Sequence, residues 1–126
     1  MWEFFLVGCG GFAGAVARWS LATRVQRMIG ESAFPAGTLI VNVLGCLAIG
    51  LAIELGERAY PGHHFRPLAV IGFLGGFTTF SAFSHETMDL FLRGKGIWAV
   101  SYLTASVALC GIGVLFGRKL VHWFAG

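Results

Sequence analysis

Residues 32–53 read SAFPAGTLIVNVLGCLAIGLAI, a run of 22 residues without an acidic or basic side chain. A helix of about 20 apolar residues crosses the hydrocarbon core of a bilayer, so this run alone predicts a membrane-spanning helix. The whole chain agrees, because 56% of its 126 residues are apolar, 12% are charged and 19 are glycine. A soluble fold of this length could not bury so much apolar surface. The composition therefore excludes an ordinary soluble enzyme and a nucleic-acid-binding domain.

Three further charge-poor runs predict the rest of an all-α membrane fold. The loops between the runs are too short to hold a soluble catalytic domain, so we expect the function to lie within the membrane. Gly10 with Gly14, and Gly113 with Gly117, have the four-residue spacing of small residues at close helix contacts. The chain is expected to form one transmembrane domain, 1–126, with four helices at about 3–24, 33–56, 66–91 and 96–121.

The basic residues divide almost evenly between the two predicted sides of the membrane, four against five. An excess of Lys and Arg normally fixes the cytoplasmic side. The balance therefore predicts insertion in both orientations and an antiparallel homodimer with dual topology; the alternative is that another feature fixes one orientation. The two sets are Arg58, Arg66, Arg118 and Lys119 on one side and Arg18, Arg24, Arg27, Arg93 and Lys95 on the other.

The third span contains an unusual segment, residues 72–84, which read GFLGGFTTFSAFS. Paired glycines and a Thr-Thr step weaken the continuity of a helix. This pattern predicts a break near the middle of the membrane, where freed carbonyl oxygens are tolerated only inside protein or beside an ion such as Na⁺. The alternative is close packing of a continuous, glycine-rich helix.

Aromatic residues recur in the same segment, where Phe80 and Phe83 lie three apart with Thr79 and Ser81 between or beside them. Such a stripe is most often packing. Ring edges, however, carry positive partial charge. A row of ring edges with hydroxyl groups beside it could receive a small dehydrated anion without the full positive charge that would bind it too tightly for conduction.

Other polar residues in the spans also need an explanation, because polar groups are costly in hydrocarbon. Asn42 lies in the middle of the second span, either as an interhelical hydrogen-bonding group or as a donor lining a polar pathway. Glu86 continues the polar side of the third span. On the fourth span, Tyr102, Ser106 and Cys110 are four apart and share one helix face.

Three motifs together resemble the Fluc (CrcB) family of fluoride channels. They are GGFAGAVARW at 10–19, GTLIVNVLG at 37–45 and GGFTTFSAF at 75–83. The resemblance implies a passive, highly selective channel that exports fluoride across the bacterial inner membrane and protects against its toxicity. It also implies an antiparallel dual-topology homodimer, which agrees with the balanced loop charges.

The resemblance implies roles for individual residues. Phe80 and Phe83 match the pore phenylalanines, and Asn42 matches an asparagine that places those rings and contacts fluoride. The carbonyls of Gly75 and Thr78 match the ligands of a structural Na⁺ at the dimer interface. Arg18 matches an arginine near the aqueous vestibule. Tyr102 and Ser106 match a polar track, with Glu86 and Thr79 alongside. Two departures, Ala82 where Thr is common and Cys110 where Ser is usual, affect that track.

Two other functions compete with a channel. A proton-coupled exporter of the small multidrug type needs a carboxylate deep in the membrane, and the six acidic residues are predicted near span ends. A structural subunit without transport activity is the second rival. An enzyme is not expected, since the sequence shows no nucleophile–base pair, phosphate loop or metal cluster. The isolated Cys9, Cys46 and Cys110 are expected to be small packing residues.

Overall fold

The fold is entirely helical in the part of the chain that the computed structural model describes, residues 1–30, 34–59 and 64–125, with the side chains of 57–59 and 125 left aside. Four stretches are long and apolar enough to cross a membrane within these ranges. The helices are α1, Trp2–Ile29; α2, Ala36–Ala59; α3, a π-helical segment Arg66–Leu74 continued by one α-helical turn, Gly75–Phe77; α4, Phe80–Leu92; and α5, Gly96–Ala125.

The helices extend beyond the predicted spans, mainly at their C-terminal ends. α1 continues past residue 24 through Arg27 and ends at Gly30, which has a φ of 81°. A charged residue marks where a helix leaves the hydrocarbon, but the helix can continue beyond it. A glycine in the left-handed conformation ends the helix. The start predicted for the second span, residue 33, lies outside the described residues, as do Glu31 and His63.

α1 and α3 pack backbone against backbone along a glycine seam, which we define as Gly10, Gly14, Gly72 and Gly76. A Cβ atom added to Gly10 would lie 2.8 Å from the Phe73 nitrogen, and one added to Gly14 would lie 2.9 Å from the Phe77 nitrogen. From the other side, a Cβ on Gly76 would lie 3.0 Å from the Gly11 Cα. The predicted close contact at Gly10 and Gly14 is therefore confirmed, and its partner is the third span.

α2 and α5 run parallel and in close contact. A Cβ on Gly113 would meet the Leu47 nitrogen at 3.3 Å, and a Cβ on Gly117 would meet the Leu51 nitrogen at 2.9 Å. A step of four residues along α5, from Gly113 to Gly117, thus corresponds to a step of four residues along α2, from Leu47 to Leu51. The two helices therefore run in the same direction and stay in contact turn by turn.

Most of the large apolar side chains lie on the outside of the fold. Fewer than a third of the residues in any of the four candidate spans are buried within the chain. The buried apolar cluster is small and centres on Leu90, Ala99 and Tyr102. Apolar side chains at so many surface positions need lipid or another apolar surface around them, so the chain is a multi-pass membrane protein.

The helical path of the third span is interrupted at Thr78 and Thr79. Both residues have extended backbone, with φ and ψ of −86° and 155° for Thr78 and −148° and 118° for Thr79. Gly75, in contrast, keeps helical values. The Thr79 hydroxyl accepts a hydrogen bond from the Ala82 nitrogen at 3.2 Å and so caps α4. The chain therefore leaves one helix and enters the next within two residues.

Candidate functional site

Asn42 binds the interrupted backbone through both atoms of its amide group. Its Nδ2 donates to the Thr79 carbonyl at 3.0 Å, and its Oδ1 accepts from the Thr79 nitrogen at 2.8 Å. The side chain is buried. A primary amide offers the same donor and acceptor as a peptide group. Asn42 therefore replaces the helical partners that Thr79 lacks.

These contacts leave two carbonyl groups without their helical donors. In a continuous helix the Thr79 nitrogen would donate to the Gly75 carbonyl, four residues earlier, but it donates to Asn42 instead. The Ala82 nitrogen would likewise donate to the Thr78 carbonyl, but it donates to the Thr79 hydroxyl. The restart of the helix at Phe80 removes the helical donors of all four carbonyls of residues 75–78. For Gly75 and Thr78 the contacts that replace those bonds are the ones to Asn42 and to the Thr79 hydroxyl.

Arg18 contacts the same region from α1. Its Nε donates to the Gly76 carbonyl at 3.1 Å, and the side chain is half-buried. The sequence prediction associated Arg18 with an aqueous vestibule. The structure places its guanidinium against the last turn before the interruption, where a carbonyl close to a helix end carries extra negative potential that favours a cation.

Phe80 and Phe83 follow the interruption at the start of α4. Their ring centroids are 5.6 Å apart, and Phe83 also lies 5.4 Å from the ring of Tyr102. Phe80 is 78% exposed, whereas Phe83 is half-buried. Within the described chain, packing therefore does not account for Phe80.

A cavity of about 300 Å³ opens beside these residues, and we call it the central cavity. Ser106 lies in its wall, and its buried hydroxyl has no hydrogen-bond partner among the described residues. A buried hydroxyl without a partner is costly unless something polar enters to satisfy it. The lining residues are Asn42, Gly45, Cys46, Ile49, Thr78, Thr79, Phe80, Phe83, Ser106, Val107 and Cys110.

Glu86 is held by two hydroxyl groups one to two helix turns from the cavity. Its Oε1 accepts from the Thr38 hydroxyl at 2.7 Å, and its Oε2 accepts from the Tyr102 hydroxyl at 2.7 Å. Glu86 lies six residues before the end of α4, roughly 9 Å along the axis. This position agrees with the prediction that Glu86 lies toward the end of the third span, and both of its oxygens are satisfied.

Sequence reasoning missed the residues that hold this network in place. Thr38 lies one turn before Asn42 on the same face of α2, a spacing that could have indicated it. Phe34 packs edge to face against Tyr102, with centroids 5.6 Å apart. The Gln26 side chain donates to the Phe34 carbonyl at 3.3 Å and accepts from the Gly37 nitrogen at 3.3 Å. These contacts depend on the loop geometry, which the sequence did not reveal.

The structure brings most of the predicted site residues together but divides them into two groups. Asn42, Thr78, Thr79, Phe80, Phe83 and Ser106 line the central cavity. Tyr102 and Glu86 lie beside it through Phe83, and the Ser81 hydroxyl contacts that of Thr79 at 3.2 Å. Gly75 lies before the interruption and does not line the cavity, and Arg18, on α1, contacts the neighbouring Gly76 carbonyl.

These features define an integral membrane protein with four spans and a polar, aromatic-lined site between its helices. The profile of a family described as CrcB-like protein, Camphor Resistance (CrcB), matches residues 5–118. The chain is 45% identical over 126 residues to a protein of Rhizobium etli, covering 99% of this chain and 100% of the relative. It is 42% identical over 120 residues to one of Ruminiclostridium cellulolyticum, covering 94% and 92%. Both relatives are called fluoride-specific ion channel FluC.

The chain therefore belongs to the CrcB family, and the resemblance drawn from its motifs is confirmed. The family is one of ion channels, which agrees with the expectation that the chain is not an enzyme.

Proposed function

We propose that the chain is a passive, selective fluoride channel that exports fluoride across the bacterial inner membrane and so protects against fluoride toxicity. Its membership in the CrcB family and the name of its relatives support this function. The observation that carries it in the structure is the central cavity, where an exposed ring, a buried amide and an unpartnered hydroxyl converge.

The chemistry of the cavity suits a small dehydrated anion. Fluoride that leaves water needs donors, and the Ser106 hydroxyl and the edges of Phe80 and Phe83 can supply them. The N-terminal end of α4 begins at Phe80 and adds a positive partial charge. The lining residues carry no full charge, so an anion can bind there and still leave.

The polar track continues this route on the other side of Phe83. Tyr102 and Ser106 lie one turn apart on α5, and Glu86 holds the Tyr102 hydroxyl in a fixed orientation. Thr79 and Ser81 contribute hydroxyl groups at the start of α4. We assign Arg18, through its contact with the Gly76 carbonyl, to the opposite approach to the interruption.

The active form is an antiparallel homodimer with dual topology. The exposed Phe80 supports a partner, because a ring exposed to 78% at a functional position needs a second surface to form a narrow pore. The balanced loop charges support two opposite orientations. The interruption of the third span would then meet its symmetric copy near the middle of the membrane.

A structural Na⁺ at that dimer interface fits the residues present. The carbonyls of Gly75 and Thr78 have lost their helical donors to Asn42 and to the Thr79 hydroxyl. Two such carbonyls from each of two subunits form a set of neutral oxygens suited to a hard cation. When bound, the ion supplies positive charge that holds the two interruptions together.

Efflux from liposomes tests the function. Vesicles that contain the purified protein should release fluoride, and chloride release should stay at the level of protein-free vesicles. An exporter of the small multidrug type would couple efflux to a pH gradient, so fluoride flux that follows the proton gradient instead of its own gradient would contradict the proposal. A structural subunit would release neither anion.

Charge insertion tests the dimer topology separately. Two extra basic residues near Lys95 should force one orientation, and two near Lys119 should force the opposite one, because loop charge sets orientation. Each variant alone should lose flux, and co-expression of both should restore it. Full flux from either variant alone would show that a single orientation suffices.

A further inference from the structure

Two free cysteines, Cys46 on α2 and Cys110 on α5, both line the wall of the central cavity. The Cβ atom of Cys46 also lies 3.6 Å from the position that a Cβ on Gly113 would occupy, one turn after Cys110. Both thiols are half-buried and open to the same space.

The parallel register of α2 and α5 explains this pairing. Asn42 and Cys46 are four residues apart on one face of α2, and Ser106 and Cys110 are four apart on one face of α5. The thiols therefore form a second level of the cavity wall, roughly 6 Å along the helices from the level of Asn42 and Ser106. The sequence interpretation treated each cysteine as an isolated packing residue, because the two lie 64 positions apart.

We propose that Cys46 and Cys110 form a binding site for a soft monovalent cation, Cu⁺ or Ag⁺, and that its occupation blocks the anion pathway. Sulfur ligands select soft ions. Within the described residues, no third His, Cys, Asp or Glu joins the pair, so the site lacks the four ligands of a structural zinc ion. A two-coordinate ion is the class that such a pair can hold.

Binding needs no oxidant. One S–H bond breaks and its proton leaves to water, a sulfur–metal bond forms in its place, and the second thiol binds through a sulfur lone pair. The metal and both sulfur atoms keep their oxidation states. Because one proton leaves for each ion that binds, the pair stays neutral overall. The bound ion blocks the pathway by filling the space between the two thiols in the cavity wall.

Silver nitrate in chloride-free buffer is the probe, and native mass spectrometry of the purified protein measures binding without any transport. The wild-type chain should bind one Ag⁺ that dithiothreitol removes. Cys46→Ser and Cys110→Ser should each weaken binding at least tenfold, and the double variant should lose it. Cys9→Ser is the matched control, since Cys9 is exposed on α1 and away from the cavity; it should bind as the wild type does.

Alkylation with maleimide gives a second readout that needs no variant. Ag⁺ should protect Cys46 and Cys110 together and leave Cys9 reactive, as peptide mapping would show. Protection of Cys9 alone, or equal Ag⁺ binding by the wild type and the double variant, would overturn the site.

The proposed block of the anion pathway by Ag⁺ rests on the proposed channel function. Fluoride efflux tests it, after binding has been measured. Saturating Ag⁺ should slow fluoride efflux at least tenfold in the wild type and in Cys9→Ser, relative to the rate of each protein without Ag⁺. The double variant should be insensitive. Absent efflux before Ag⁺ is added would contradict the channel and leave the binding result standing. Binding of Ag⁺ without slower efflux would overturn the block alone.

Discussion

The contact between α1 and α3 differs in kind from the region enclosed by α2, α4 and α5. Along the glycine seam the two backbones touch, and there is no space for one added carbon atom. Around the central cavity α4 stands apart from the closely packed pair α2 and α5, and amide, hydroxyl, thiol and aromatic groups face open space. The seam holds the N-terminal part of the third span rigidly, and the cavity forms where α4, on the other side of the interruption, turns toward α2 and α5.

The largest effect is expected from filling the seam. Gly14→Ala places a Cβ 2.9 Å from the Phe77 nitrogen, where the obstructing atoms are backbone and cannot move aside. Overpacking of this kind costs about 3 kcal/mol, and we expect the variant to lose most of its monodisperse protein on size exclusion.

Gly8→Ala is the control on the same helix, because a Cβ there meets nothing within 4 Å. It should raise the thermal midpoint, since Ala favours a helix by about 1 kcal/mol over Gly. Equal behaviour of the two variants would show that the seam does not support the fold.

The next effect is expected from Asn42→Ala, which acts on the cavity side. The change removes both hydrogen bonds to Thr79, each with a cost of about 1–3 kcal/mol when its partner stays buried. If the lost hydrogen bonds destabilise the conformation that conducts, fluoride efflux should drop about 100-fold, which corresponds to 2.7 kcal/mol. Size exclusion should still show folded protein, because the glycine seam is intact. Efflux within twofold of the wild type would contradict a role for the amide.

A smaller effect on flux, without an effect on folding, is expected from Phe80→Leu. The swap keeps an apolar side chain and costs less than about 1.5 kcal/mol in stability. It removes the ring edge, and fluoride efflux should fall about tenfold or more.

Phe73→Leu is the matched packing control, because Phe73 stacks on Phe77 with centroids 5.9 Å apart and does not line the cavity. Equal efflux from the two leucine variants, with both proteins folded, would contradict the ring-edge mechanism even in a working fluoride channel.

The smallest effect on stability is expected from a residue outside both the glycine seam and the central cavity. Asp89 and Arg93 form an exposed ion pair at 2.8 Å, one turn apart at the end of α4. Such pairs contribute about 0.3–0.5 kcal/mol and are screened by salt. Asp89→Asn should lower the thermal midpoint slightly in low salt and not in high salt, and efflux should not change. A clear loss of efflux would show that this end of α4 belongs to the pathway.

The sequence sufficed for the features that depend on composition and local spacing. Four spans follow from the charge-poor runs, and close helix contact at Gly10 and Gly14 follows from their spacing, because each signal lies within one helix. That the partner of this contact is the third span was not predictable from that spacing. The ends of the helices were less predictable. Arg27 does not end α1, since a charge at the membrane surface is compatible with helix.

The site depended on contacts between distant residues, which the sequence does not display. Paired glycines and a Thr-Thr step marked the unusual segment, but the sequence does not show which of them is extended. The extended residues are Thr78 and Thr79, and the Asn42 amide binds Thr79 from 37 positions away. The partnership of Thr38 with Glu86 spans 48 positions. The motifs identified the important residues, whereas the three-dimensional contacts showed what each one touches.

The two hydrogen bonds between Asn42 and Thr79 resemble one hydrogen-bonded residue pair of a β-sheet, with the side-chain amide of Asn42 in place of a second strand. We call this pair of bonds the rung. It pins the start of α4 to the first third of α2, so neither helix can slide or turn without losing both bonds. A transporter that alternates its access must let such elements slip past each other. A pin in the wall of the cavity instead suits a pathway that keeps one shape while ions pass through it. The same rung should protect the Thr79 amide hydrogen from exchange with water as strongly as a hydrogen inside a helix.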